Sequence, residues 1–128
     1  MEYGFSKMVD LSFEEAIIKV TDELKKEGFG ILTSIDVQDT LKKKINVDFK
    51  KYLILGACNP VLAHKALLAE EQLGLLLPCN VVVSEAEDKT IKVSFFDPEV
   101  MSRLIENPVI VTVAAEVKQK LLKVLEHI

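Results

Sequence analysis

The sequence predicts an α+β domain: a single, mainly antiparallel sheet with its helices packed on one face. Three observations carry that prediction. The chain has 128 residues, the size of one ordinary domain, and is 49% hydrophobic with a mean hydropathy of +0.24, which excludes a disordered tail or linker. Helical spacing and strand alternation both occur, in the order β, α, β, short α, β, α, β, β, short α, α, which is not strict βα alternation. Two strand-like segments also flank a short turn near residue 87, and such a hairpin requires an antiparallel pair. With no Gly/Ser-rich linker and no repeat of 20–50 residues, 1–128 reads as one domain.

Each element has a local reason. Tyr3 to Leu11 reads as a strand with Phe5, Lys7 and Val9 on one side. Ser12-Phe13-Glu14-Glu15 is a capping box, in which the Ser hydroxyl and the Glu carboxylate satisfy orphan backbone donors reciprocally. Phe13, Ala16, Ile17, Val20 and Leu24 then form one face of an amphipathic helix over 12–27, and Gly28 can take the left-handed conformation that stops it. Phe29 to Val37 alternates Ile31, Thr33, Ile35 and Val37 against Gly30, Leu32, Ser34 and Asp36, a second strand. Asp39 is the expected cap of a short helix carrying Leu41 and Ile45.

Tyr52 to Ala57 is a short apolar run, the mark of a strand covered on both faces. Asn59-Pro60 opens a helix over 60–73, with Asn as cap and Pro where a missing N–H costs nothing; Gly74 is its expected end. Asn80–Glu85 and Thr90–Phe96 form the hairpin around Ala86–Lys89. Asp97-Pro98 starts a brief helix through Leu104, and Asn107-Pro108 repeats the cap-then-proline device for the last one. The β-branched start of that helix, Val109 to Val113, imitates a strand, but Ile110, Val113, Ala114, Val117, Leu121, Val124, Leu125 and Ile128 keep helical spacing throughout. The expected core comprises Ile17, Val20, Leu24, Leu53, Leu55, Val82, Val93, Val113, Val117 and Leu121, with helices 12–27 and 108–127 side by side.

Charge narrows the function classes. The net charge is −4, and neither residues 1–64 (nine Lys, ten acids) nor residues 65–128 (six Lys, one Arg, ten acids) is basic, so no nucleic-acid partner is expected. The Lys42-Lys43-Lys44 run with Lys50-Lys51 reads as a solvated face. No stretch approaches the ~20 apolar residues of a membrane span, and the start of the chain lacks a secretory pattern, so the expectation is a soluble cytoplasmic protein. GxxxxGK[ST], GxGxxG and GxSxG are absent, and the paired acids sit where solvated surface explains them. No catalytic constellation is recognised and no cofactor is expected.

Two stretches remain. Gly56-Ala57-Cys58-Asn59-Pro60 runs from an apolar strand into a capped helix; Leu75-Leu76-Leu77-Pro78-Cys79-Asn80 is an apolar connection entering a strand. Together with Ala63-His64-Lys65-Ala66-Leu67 between them, they resemble the bacterial and archaeal "domain of unknown function 302" family. The resemblance implies a TATA-box-binding-protein-like α+β fold, β-α-β4-α with an inserted helix, and a homodimer; it implies no activity, and the fold label carries no DNA-binding meaning. With that topology the strands bearing Cys58 and Cys79 run antiparallel and place both thiols at one end of the sheet; a parallel crossover would separate them.

The candidate site is therefore Cys58, Asn59, Pro60, His64, Pro78, Cys79 and Asn80, read as a small-ligand site at the mouth of the sheet. Both cysteines as buried structural residues, a redox-sensing pair, and a thiol-dependent enzyme are the competing readings; a metal site recruiting His64 lacks any CxxC or HxxxH spacing. Cys58 precedes a helix start, so its thiolate is expected to be more accessible than that of an ordinary buried cysteine. The apolar helix at 60–73, where Leu68 and Ala69 broaden the hydrophobic side, together with Leu75–Leu77, is the expected dimer surface.

Overall fold

A computed structural model describes residues 2–128. Its elements are β1 (Gly4–Val9), α1 (Phe13–Lys26), β2 (Gly30–Asp36), α2 (Val37–Ile45), β3 (Tyr52–Cys58), α3 (Pro60–Ala69), a 3-10 helix (Glu71–Leu76), β4 (Cys79–Glu85), β5 (Ile91–Phe96), α4 (Glu99–Leu104) and α5 (Pro108–Glu126). The five strands form one sheet in the order β1-β5-β4-β3-β2, antiparallel at every junction. This is the expected α+β class, with helical insertions after β2 and after β3.

The core lies between the sheet and α1, α3 and α5. Ala16, Val20 and Leu24 of α1 and Ile110, Val113, Ala114, Val117, Leu121 and Val124 of α5 are buried against Leu55, Val81, Val83, Val93 and Phe95 of the strands. Seven of the expected core residues are buried there, and Ile17 and Leu53 pack against its margin. Val82 does not join them. The register places it opposite Ile54 and Ser94, on the face turned away from the helices, and it is Val81 and Val83 that enter the core. In a run of three valines, composition cannot select the inward parity; the pairing partners do.

The capping box forms as expected, with Ser12 Oγ accepting from Glu15 N and Glu15 Oε1 accepting from Ser12 N. At the other end of α1, Gly28 at φ 85° lets its own N–H reach Lys25 O and that of Phe29 reach Leu24 O, a Schellman closure that turns Phe29 into the core.

Three expectations are corrected. Asp36, not Asp39, caps α2: its Oδ1 accepts from Asp39 N at 2.9 Å, while Asp39 in the first turn pairs with Lys43. The alternation of the second strand breaks at a bulge between Ile31 and Thr33, so Ile31 opposes Ala57 whereas Thr33 opposes Gly56 on the other face. The helix after Pro60 stops at Ala69, where Glu70 is extended, and Gly74 lies inside the following 3-10 helix rather than ending α3. The physical reason is on α5: Asn107 Nδ2 donates to Ala69 O at 3.0 Å and ends the helix early.

Candidate functional site

The antiparallel pairing of β3 with β4 sets Ala57 directly opposite Cys79, so Cys58 and Cys79 meet at one end of the sheet. There Asn59 does two jobs. Its Oδ1 accepts from Leu62 N at 3.3 Å, capping α3, and its Nδ2 donates to Glu27 O at 3.4 Å, tying α3 to the end of α1. Pro78 closes over Gly56, where an added Cβ would approach Pro78 Cγ to 2.8 Å and collide with Thr33 Oγ1. The close approach of β2, Pro78 and β3 therefore requires glycine at 56.

These residues bound a cavity of about 350 Å³. Its floor is Ala57 and Cys79 with Val113 and Val117 of α5; its walls are α3, through Leu62, Ala63, Ala66 and Leu67, and the 3-10 helix; Met101 of α4 and Phe29 complete it. Leu32, Leu67 and Gly74 are its exposed members, and Cys58 is half-buried. The lining is apolar almost throughout. Asn59 is the one amide in it, and both ends of that amide are already engaged.

Four of the seven expected site residues thus come together: Cys58, Asn59, Pro78 and Cys79. The other three do not line the cavity. Pro60 and His64 are exposed on α3, His64 two residues before the inward-facing Ala66, and Asn80 points to the opposite face of the sheet by strand alternation. Met101 of α4 and Val113 and Val117 of α5 also line the cavity, and nothing in the chain marks them for it, because they lie far from Cys58 and have the pattern of ordinary core residues. The small-residue row Ala63 and Ala66 was visible, and it is what leaves the space open.

Both thiols are free. Burial pushes the Cys58 thiol up, and burial, with the neighbouring Cys58, pushes Cys79 from 9.0 to about 11. Asn59 already satisfies Leu62 N, and desolvation decides the direction. Among the described residues no cluster of three His, Cys, Asp or Glu side chains is placed to hold a metal, and no helix is long and apolar enough to cross a membrane.

The family model described as "Domain of unknown function DUF302" matches residues 5–128. The chain belongs to the DUF302 family. A crystal structure of an uncharacterized conserved DUF302 protein from Bacillus stearothermophilus is similar to it at a TM-score of 0.91 and 28% sequence identity, covering 99% of this chain and 98% of that one. Comparison with the curated proteins found no match. DUF302 membership therefore agrees with this fold and assigns no chemistry to the cavity.

Proposed function

We propose that this chain is a binding module for a small, neutral, apolar molecule held in the cavity beside Cys58, Asn59, Pro78 and Cys79. The observation that carries the reading is the cavity itself: about 350 Å³ lined by apolar side chains, two thiols and one amide hydrogen-bonded at each end. That volume is at the small end of ligand sites. A charged or strongly hydrogen-bonding ligand would leave polar groups without partners inside it, which costs more than the burial gains. Thiol-dependent catalysis has less support, because burial shifts both thiols upward, away from the thiolate form. Free thiols suit a reducing compartment such as the cytoplasm.

The reading includes self-association. Val61, Leu68 and Leu75 are 78%, 77% and 82% exposed on α3 and the 3-10 helix next to the cavity. A second copy covering this side would shield those residues and the mouth together.

The test is thermal unfolding with n-octanol and with indole as probes. A ligand of the native state raises the midpoint. The expected result is a rise in the wild-type protein and none in Ala66→Phe, whose ring fills the cavity; the half-buried Ala63→Leu is the milder filling variant. No rise with either probe, or an equal rise in the filled variants, overturns the proposal.

A further inference from the structure

The face of the sheet turned away from α1, α3 and α5 carries a second concavity, of mixed polar and aromatic lining. The register defines its rows. Lys92, Ser84 and Tyr52 lie side by side across β5, β4 and β3; Ser6, Ser94, Val82 and Ile54 form the next row; Phe96 and Asn80 follow on β5 and β4. All of these except Ile54, with Lys50 and Tyr3 at the rim, line a groove of about 640 Å³. Unlike the cavity, this groove has polar groups without protein partners. Among the described residues neither Lys50 nor Lys92 forms an ion pair. Ser6 donates to Ser94 Oγ at 2.9 Å, while the Asn80 amide, the Ser84 hydroxyl and the Tyr3 and Tyr52 phenols make no side-chain hydrogen bond within the described residues. In a chain of net charge −4, two unpaired ammonium groups against the single acid Glu2 make this groove locally positive.

We propose that this groove binds a mononucleotide. The charge of Lys50 and Lys92 complements a phosphate. Phe96, half-buried and four residues along β5 from Lys92, offers ring surface to a planar base, a contact that tolerates any base because each has a π-face, while Tyr52 lies in the Lys92 row with its ring tilted against Phe49 at 6.0 Å. The Ser84 and Ser94 hydroxyls and the Asn80 amide are donors and acceptors for ribose hydroxyls and base edges. A free sugar would leave the two cations unmatched, and a simple anion would leave the rings and hydroxyls unused. The site is separate from the apolar cavity, on the other side of the sheet, and does not depend on it.

The experiment is an NMR titration of the full 15N-labelled chain with each of the four ribonucleoside monophosphates, and separately with adenosine and inorganic phosphate. The expected result is saturable shifts at Ser84, Ser94 and Asn80 with at least one nucleotide, and binding of adenosine and of phosphate weaker by about tenfold or more. Lys92→Ala and Asn80→Ala, both at exposed positions, should each weaken the nucleotide by about tenfold, the scale of one charge-assisted or paired hydrogen bond. Four outcomes overturn the proposal: no saturable shift with any nucleotide, shifts centred on Lys42–Lys44, phosphate alone binding as tightly as the nucleotide, or groove signals that respond to protein concentration instead, which would make a second copy the occupant.

Discussion

At the scale of single residues, Gly56 and Cys79 have the clearest consequences. An alanine at 56 must displace Thr33 or Pro78, and forcing one carbon into a filled site costs about 1–3 kcal/mol. Urea unfolding of Gly56→Ala should show that loss, while Gly74→Ala, with nothing near its Cβ position, should change stability far less. Cys79 makes stability depend on alkaline pH. Its thiol ionises at about 11 in the folded chain against 9.0 ordinarily, so the unfolded chain releases its proton first. Stability is fully present below pH 9 and declines as pH rises from 9 toward 11, by no more than about 3 kcal/mol from this group. Cys79→Ala should lack that part of the decline in denaturation measured across the same range. By the same burial difference, alkylation of the native protein should consume Cys58 before Cys79.

At the scale of elements, the two Asn-Pro pairs are junctions. Asn59 caps α3 and binds the last carbonyl of α1's exit, Glu27 O; Asn107 caps α5 through Val109 N and binds Ala69 O at the end of α3. Each asparagine thus satisfies one helix's orphan N–H and another's orphan C=O. Asn107→Asp would keep the cap and lose the donor, whereas Asn107→Ala loses both. We expect Asn107→Ala to cost about 1–2 kcal/mol, with Asn107→Asp in between, measured by chemical denaturation. A cost confined to the cap alone, equal for Ser at this position, would show that the Ala69 bond contributes nothing. Hydrogen exchange should be faster at the amides of the 3-10 helix in the alanine variant, because Asn107 is what fixes where α3 stops.

At the scale of the whole molecule, the sheet separates two concave surfaces, an apolar cavity beneath the helices and a groove of mixed polar and aromatic character on the open side. Sedimentation at micromolar concentration should give a dimer, and Leu68→Glu, at an exposed position, should give a folded monomer. A monomeric wild type would reject the α3 surface as an interface. Much of this architecture was legible along the chain. The capping box at Ser12, Gly28 as the end of α1, both Asn-Pro starts and the hairpin at Ala86–Lys89 are local devices, decided by hydrogen bonds within a few residues, and each is where sequence placed it. The juxtaposition of Cys58 and Cys79 was open until strand direction was known. The parity of Val81-Val82-Val83, the bulge after Ile31 and the early end of α3 were not local at all. They depend on which strand lies opposite, or on a side chain such as Asn107, 38 residues away from the carbonyl it binds. Sequence by itself determined the elements, because caps, turns and periodicity are satisfied by near neighbours. Only the tertiary structure decided which faces those elements present to one another, because register and packing are settled by partners distant in the chain.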